Sequence, residues 1–243
     1  MAHDLSRRSF LGAAGTAVAA GAGAVTARAS AEEPAAASPS GPIKILGVCC
    51  SPRAGKSTAA ALQVCLNAAK EVDPDGIEIE LIELAGMKIN GDLAAGIELE
   101  PGERDDFPPL VPKLSDPNVG GIIIGTPVYF GNMTSLAKAF LDRCIAFRKS
   151  DFALSGKVAG VVAVGAARNG GQELTIQSVQ AVLFCHEMLL VGDGRPTGHR
   201  GATVWNNKEF EGDVTKDEFG MSTAKNLGRR VAEVARQMAA AKR

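Results

Sequence analysis

Ile43 to Thr58, I-K-I-L-G-V-C-C-S-P-R-A-G-K-S-T, constrains this chain more than any other stretch. Its first half, Ile43 to Cys50, is a short apolar run with one charge, the pattern of a strand buried on both faces. Its second half, Ser51 to Ser57, is rich in small, hydroxyl and basic residues. A helical pattern then begins, with Leu62, Cys65, Leu66, Ala69 and Val72 on one face. Strand, hydroxyl-rich turn and helix start together make an anion site. The first helical N–H groups lack partners, and the positive end of the helix dipole points into the turn.

Two readings fit that turn. A Walker A loop, G-x-x-x-x-G-K-[ST], matches at Gly55-Lys56-Ser57, but Cys50 stands where the first glycine belongs. The best partner strand, Gly120 to Thr126, ends G-T-P and offers no acid for a metal. The other reading is a resemblance. C-S-P-R-A-G-K-S-T is similar to the G-S-P-R-x-x-x-N-T phosphate loop of the flavodoxin-like NAD(P)H-dependent FMN reductase and iron–sulfur flavoprotein group. The resemblance implies that Ser51, Arg53, Ser57 and Thr58 hold a phosphate without metal. Cys50 and Ser57 depart from the group's Gly and Asn.

Two later segments carry the same resemblance. Thr126-Pro127-Val128-Tyr129-Phe130-Gly131-Asn132-Met133 resembles the group's [GST]-P-[VEI]-Y-[FYW]-G/N loop, and S-L-A-K-A-F-L-D-R resembles the helix after it. Pro127 and Gly131 can shape a loop whose amides bond the polar edge of an isoalloxazine, with Tyr129 and Phe130 as aromatic surface. The competing reading is that Tyr129 and Phe130 close the core. Gly165-Ala166-Ala167-Arg168-Asn169-Gly170-Gly171-Gln172-Glu173 is similar to the group's G-G-S-R-G-G-G-Q-E. Gly165, Gly170 and Gly171 allow backbone to approach a ring closely. Arg168 fits ligand, phosphate, a neighbouring subunit or open solvent. The implied cofactor contacts are therefore Ser51, Arg53, Ser57, Thr58, residues 127–132 (Val128 and Asn132 included), Gly165, Arg168, Gly170 and Gly171.

The order of elements supports the fold that the resemblance implies. Ile77 to Leu84 alternates apolar and acidic residues, a strand with one wet face and so a sheet edge. Asn118 to Thr126 and Gly156 to Gly165 read as buried strands, and Met188 to Val191 as the start of a fifth. Ser135 to Phe147 and Gln172 to Glu187 read as helices, and Gly192 to Lys216 as a long loop. Thr215-x-x-Glu218 resembles a capping box that opens a last helix. Strands alternating with helices predict an α/β, doubly wound parallel sheet of five strands in flavodoxin-like order 2-1-3-4-5. Ligand would bind past the strand ends, between strands one and three.

The N-terminus reads as a separate segment. Ser6-Arg7-Arg8-Ser9-Phe10-Leu11 resembles a twin-arginine export signal, and a Gly/Ala-rich stretch to Val25 leads to an A-x-A site at Ala27-Arg28-Ala29. That stretch is too short and too weakly apolar for a stable membrane span. We expect a leader over 1–29, a disordered linker over 30–42 and one domain over 43–243, with export to the periplasm or another extracytoplasmic space. The whole chain has net charge -1. Loss of Arg7, Arg8, Arg28 and Asp4 brings it to about -3, and no basic run exceeds two residues, which argues against nucleic acid.

Five cysteines, an odd number with no C-x-x-C, do not make a disulfide frame. Cys65, Cys144 and Cys185 read as small core residues, and His186 as a buried, hydrogen-bonded core histidine. Iron–sulfur members of the group carry cysteines after strand two, whereas this chain has M-K-I-N-G-D-L-A-A-G-I-E-L-E-P-G-E-R, so no cluster is expected. No metal-ligand spacing stands out, and hydride transfer to a flavin needs no acid–base side chain, so no catalytic residue is named. The resemblance implies an FMN oxidoreductase taking electrons from NAD(P)H and passing them to a small acceptor such as a quinone or flavin, as a homodimer or homotetramer. The export signal favours an alternative, a non-enzymatic electron carrier for a redox partner protein. His199 and Trp205 share the long loop and have no assigned role.

Overall fold

The computed structural model describes residues 41–241. The leader and all but the last two residues of the linker lie outside the described residues. Strand β1 (Ile43–Cys49) leads into helix α1 (Ser57–Lys70), and β2 (Ile77–Glu83) follows. A 3-10 turn (Gly91–Ala95) and the short α2 (Leu110–Ser115) precede β3 (Val119–Pro127). Next come α3 (Ser135–Arg143), α4 (Ile145–Lys149), β4 (Val158–Gly165) and α5 (Gln172–Phe184). Strands β5 (Leu189–Leu190) and β6 (Ala202–Trp205) and helix α6 (Glu218–Ala241) complete the chain.

All named strand pairs are parallel, in the order β2-β1-β3-β4-β5. The sheet nevertheless has six strands. β6 also pairs with β4, matching Val162 to Gly165 with Ala202 to Trp205, while β5 matches only Val158 and Ala159. The fifth position is thus filled by two short pieces, with residues 191–201 looping out between them. The expectation of a loop from Gly192 to Lys216 is corrected here. Gly192, Gly194, Pro196, Gly198 and Gly201 hide the return of the strand at Ala202.

Both faces of the sheet are buried, which is why β1, β3 and β4 read as continuous apolar runs. On one face Leu46, Val48, Ile122 and Ile124 pack with Phe107, Phe140 and Phe147. On the other, Ile45, Ile123 and Val162 pack beneath Leu62 and Leu66 of α1 and Leu227 and Val231 of α6. Helices α1 and α6 approach closely at Gly228, where a Cβ would overlap the backbone carbonyl of Cys65. β2 keeps its wet face at the sheet edge, as its alternation predicts.

Four local expectations change. The helix over 135–147 breaks at Cys144 into α3 and α4. The capping box does not form: the Asp217 backbone carbonyl accepts from Met221 N at 2.8 Å, and the Thr215 hydroxyl bonds to Asp213. Cys65 and Cys144 are buried, but Cys185 is exposed rather than a core residue. His186 is buried as read, yet its Nδ1 has no hydrogen-bond partner among the described residues. Burial, with Arg148 nearby, holds its pKa below the ordinary histidine value.

The long segment after β2 is tied to α3 by an ion pair. Arg143 of α3 forks onto both Asp105 oxygens at 2.7 Å, reaches Asn90 O at 3.3 Å, and lies 4.7 Å from the Phe107 ring centroid. The guanidinium hydrogen bond holds the Asp105 carboxyl below its usual pKa. No helix among the described residues is long and apolar enough to cross a membrane.

Two outcomes follow. Gly228→Ala should push α1 and α6 apart and lower stability by about 1–3 kcal/mol in urea unfolding. The Asp105 contribution is present above the unfolded carboxyl pKa of about 4 and is lost as pH falls through the lower folded value. Asp105→Asn should therefore lose about 1.5–3 kcal/mol at neutral pH and show a shallower acid limb in pH-dependent unfolding.

Candidate functional site

The carboxyl ends of β1, β3 and β4 point the same way, and the three loops leaving them meet. Thr134, the N-cap of α3, makes the first junction. Its hydroxyl donates to Cys50 O at 2.8 Å and accepts from Ala137 N at 3.0 Å. Its own amide donates to the buried Thr126 hydroxyl at 3.2 Å. The second junction is a backbone contact between Gly131 and Gly171. A Cβ on Gly171, whose φ is +97°, would stand 2.9 Å from Gly131 Cα. Only glycine fits there, for both conformation and space.

The first loop has the form of an anion cradle. Ser57 and Thr58 are the first two residues of α1 and are buried, and Ser51 is buried at the start of the turn. The N-cap Lys56 makes no side-chain capping bond, and the first turn contains no acid. The opening amides of α1 are therefore left for a ligand. The Ser51 hydroxyl is turned onto its own loop, accepting from Arg53 N and donating to Arg53 O, both at 3.1 Å. Arg53 and Lys56 are exposed at the rim. Gly55, at φ +62°, donates its amide to Glu83 Oε2 at 2.8 Å.

The second loop is a tight reverse turn. Tyr129 N donates to Asn132 O at 2.8 Å and Asn132 N returns to Tyr129 O at 3.1 Å. Phe130 and Gly131 at its tip have φ of 52° and 75°, the type I′ arrangement. Left-handed backbone at Phe130 costs on the order of 1–2 kcal/mol, which glycine would avoid. Phe130 is fully exposed and Tyr129 is 45% exposed, so these rings do not close the core. Val128 N bonds to Val164 O at 2.9 Å, and Met133 N to the Asn132 side chain at 2.8 Å. Of the amides from 128 to 133, those of Phe130 and Gly131 alone have no acceptor among the described residues.

The third loop is held from behind. Buried Gln172 donates to Ala167 O at 2.6 Å and Val204 O at 3.4 Å, and accepts from Gly170 N at 2.8 Å. Arg168 pairs with Asp217, a carboxylate only 1% exposed, through both terminal nitrogens. Its guanidinium also lies 5.0 Å from the Trp205 ring and 5.8 Å from Phe219. Trp205 N donates to Asp217 Oδ2 at 2.7 Å, and Trp205 Nε1 to Ala166 O at 3.1 Å. Of the four roles open to Arg168, the structure shows an internal one: it is committed to Asp217 and two rings. His199 stands further along the same wall, its ring on buried Asp193 at 3.1 Å and edge-on to Phe219.

Sequence reasoning thus finds all three loops but misses Thr134, Glu83, Gln172 and Asp217 as the groups that fix them. Thr134 carries a readable signal, a hydroxyl at a helix start. Gln172 lies within the G-G-Q-E run. Nothing local marks Glu83 or Asp217, which act on loops 28 and 49 residues away.

The cysteines are dispersed. Cys49 ends β1 and Cys50 follows it, Cys65 lies in α1, Cys144 follows α3 and Cys185 follows α5. Burial pushes the Cys49 thiol up to about 11 and raises Cys50, Cys65 and Cys144 as well. Among the described residues no three His, Cys, Asp or Glu side chains converge as metal ligands.

The chain is similar to known proteins. An iron–sulfur flavoprotein from Methanocaldococcus jannaschii is 40% identical over 195 residues, covering 79% of this chain and 97% of that one. An iron–sulfur flavoprotein from Methanosarcina thermophila is 32% identical over 195 residues, covering 79% and 95%. An NAD(P)H dehydrogenase (quinone) from Paracoccus denitrificans is 35% identical over 137 residues, covering 50% and 64%. Among solved structures, RosB superposes with TM-score 0.57 at 16% identity over 80% of this chain and 81% of that one. A flavodoxin, WrbA-like protein from Agrobacterium tumefaciens does so with TM-score 0.52 at 22% identity, over 80% and 98%. At such identities these two speak for the flavodoxin-like fold alone. The profile of NADPH-dependent FMN reductase matches residues 43–202, and this chain belongs to that family.

Proposed function

We propose that this protein binds FMN across the three loops and works as an NAD(P)H-dependent oxidoreductase that delivers electrons to a small acceptor, a quinone, a flavin or a similar compound. The observation that carries the reading is the pair of junctions, Thr134 to Cys50 and Gly131 to Gly171. They bring an uncapped helix start and two glycine-bearing turns to one end of the sheet. FMN, when bound, supplies the electron chemistry. The chain's task is to hold it. Ser51, Ser57, Thr58 and the first amides of α1 would hold the phosphate, with Arg53 adding charge at the rim. The amides of Phe130 and Gly131 and the backbone from Gly165 to Gly171 would meet the ring's polar edge. Arg168 serves this site as a positioning residue, fixing the third loop through Asp217 and Trp205.

The chemistry of the cysteines supports a flavoprotein without an iron–sulfur cluster, unlike the relatives that carry that name. Cluster ligands are thiolates held around one point. Here four of the five thiols are buried, raised in pKa and spread over different elements. Assembly as a homodimer or homotetramer and export by the twin-arginine route belong to the same proposal. That route suits a protein loaded with cofactor before export. It also favours a second reading, in which reduced nicotinamide is scarce where the protein works and the flavin serves a redox partner protein instead.

Four measurements test these readings. Purified protein should show flavin absorbance and release FMN on denaturation; no flavin, and none taken up on addition, overturns both. Steady NAD(P)H oxidation with a quinone or flavin acceptor is expected for the enzyme, and its absence in FMN-loaded protein would favour the carrier. Thr58→Val should weaken FMN about ten- to a hundredfold, the loss of one charge-assisted hydrogen bond, and leave riboflavin unchanged. Arg168→Ala should strand the Asp217 carboxylate. We expect about 2–4 kcal/mol of destabilisation, a red-shifted emission from Trp205, which is the single tryptophan of the chain, and weaker FMN binding.

A further inference from the structure

The cradle between β1 and α1 carries an anion of its own. β2 ends at Glu83, in register with Cys49 at the end of β1, and Leu84 N bonds to Cys49 O at 2.9 Å. Parallel pairing therefore delivers the Glu83 carboxylate to the same end of the sheet as the loop. Its Oε2 accepts the Gly55 amide at 2.8 Å, 28 residues away in the chain. The first turn of α1 has no acid, and Lys56 makes no capping bond. Among the described residues Glu83 forms no ion pair with Arg53 or Lys56, although both cations stand on the same loop. It takes a backbone amide instead, the kind of donor that a phosphate would use.

We propose that Glu83 is an internal anion that competes with phosphate for the β1–α1 loop and so determines which phosphate-bearing ligands the loop retains. Glu83 stabilises the empty loop by placing negative charge near the start of α1. When a phosphate dianion enters, the carboxylate must either yield the Gly55 amide or remain beside it as a like charge. Both raise the cost of phosphate binding, and neither affects an uncharged ligand. A small anion held by this loop alone is therefore disfavoured. A flavin mononucleotide has the two further loops to offset the same cost. Selection against free phosphate thus comes from a built-in repulsion rather than from added attraction for FMN.

The identity of the flavin rests on the proposed function, but the competition for the loop does not, so the test has two arms. Glu83→Gln keeps an acceptor for Gly55 N and removes the charge. The first arm compares dissociation constants for FMN and riboflavin, followed by Trp205 or flavin fluorescence at low ionic strength. The variant should bind FMN about five- to tenfold more tightly, with riboflavin unchanged and the gain shrinking in high salt. The second arm uses inorganic phosphate as the probe and reads the rise in Tm. Phosphate should stabilise the variant more than the natural protein. Unchanged or weaker FMN binding, or an equal gain for riboflavin, would overturn the inference. If neither protein takes up flavin, the phosphate arm decides alone. Greater stabilisation of the variant would then uphold the competition while the FMN reading falls, and equal stabilisation would sink the competition as well.

Discussion

The Thr134 hydroxyl is the interaction on which the site depends. It caps α3 through Ala137 N and donates to Cys50 O, so one side chain fixes a helix start and the exit of another strand together. It is buried, so these bonds form out of competition with water, and loss of the hydroxyl would leave Cys50 O and Ala137 N without partners. The sheet beneath supplies the rest of the rigidity. β1, β3 and β4 are packed on both faces, which sets their ends in register and lets short polar loops project from a fixed edge.

The split fifth strand has a consequence for the third loop. β6 returns to β4 only for Ala202 to Trp205, and that short pairing brings Trp205 to Gly165, where Asn206 N bonds to Gly165 O at 2.8 Å. From there Trp205 closes on Ala166 and Asp217, and Arg168 is held between two rings and a buried carboxylate. The third loop is thus braced by the edge of the sheet and by the start of α6. A continuous fifth strand would not require the excursion over 191–201 that carries Asp193 and His199.

The three loops are legible in the sequence as turns because each depends on residue type at short spacing. A hydroxyl-rich turn before a helix, a Pro-x-Tyr-Phe-Gly turn and paired glycines each have a local physical meaning. Pairing over long distances is different. Arg168 keeps four roles open in the sequence because its partner Asp217 lies 49 residues later, and Cys185 reads as core because a helical pattern does not reveal where the helix ends against solvent. Phe130 shows the limit from the other side. Its hydrophobicity allows a core role, and only the positive φ and the turn geometry put its ring outside.

The sequence by itself determined the alternation of strands and helices, the edge position of β2, and the position of the loops after β1, β3 and β4. These follow from periodicity and from residues whose backbone preferences act within a few positions. The tertiary structure alone decided that the fifth strand is divided, that Arg168 pairs with Asp217, and that Glu83 sits on the β1–α1 loop. Each of these depends on parallel register between strands far apart in the chain. Register places side chains side by side through the packing of the whole sheet, which no local pattern encodes.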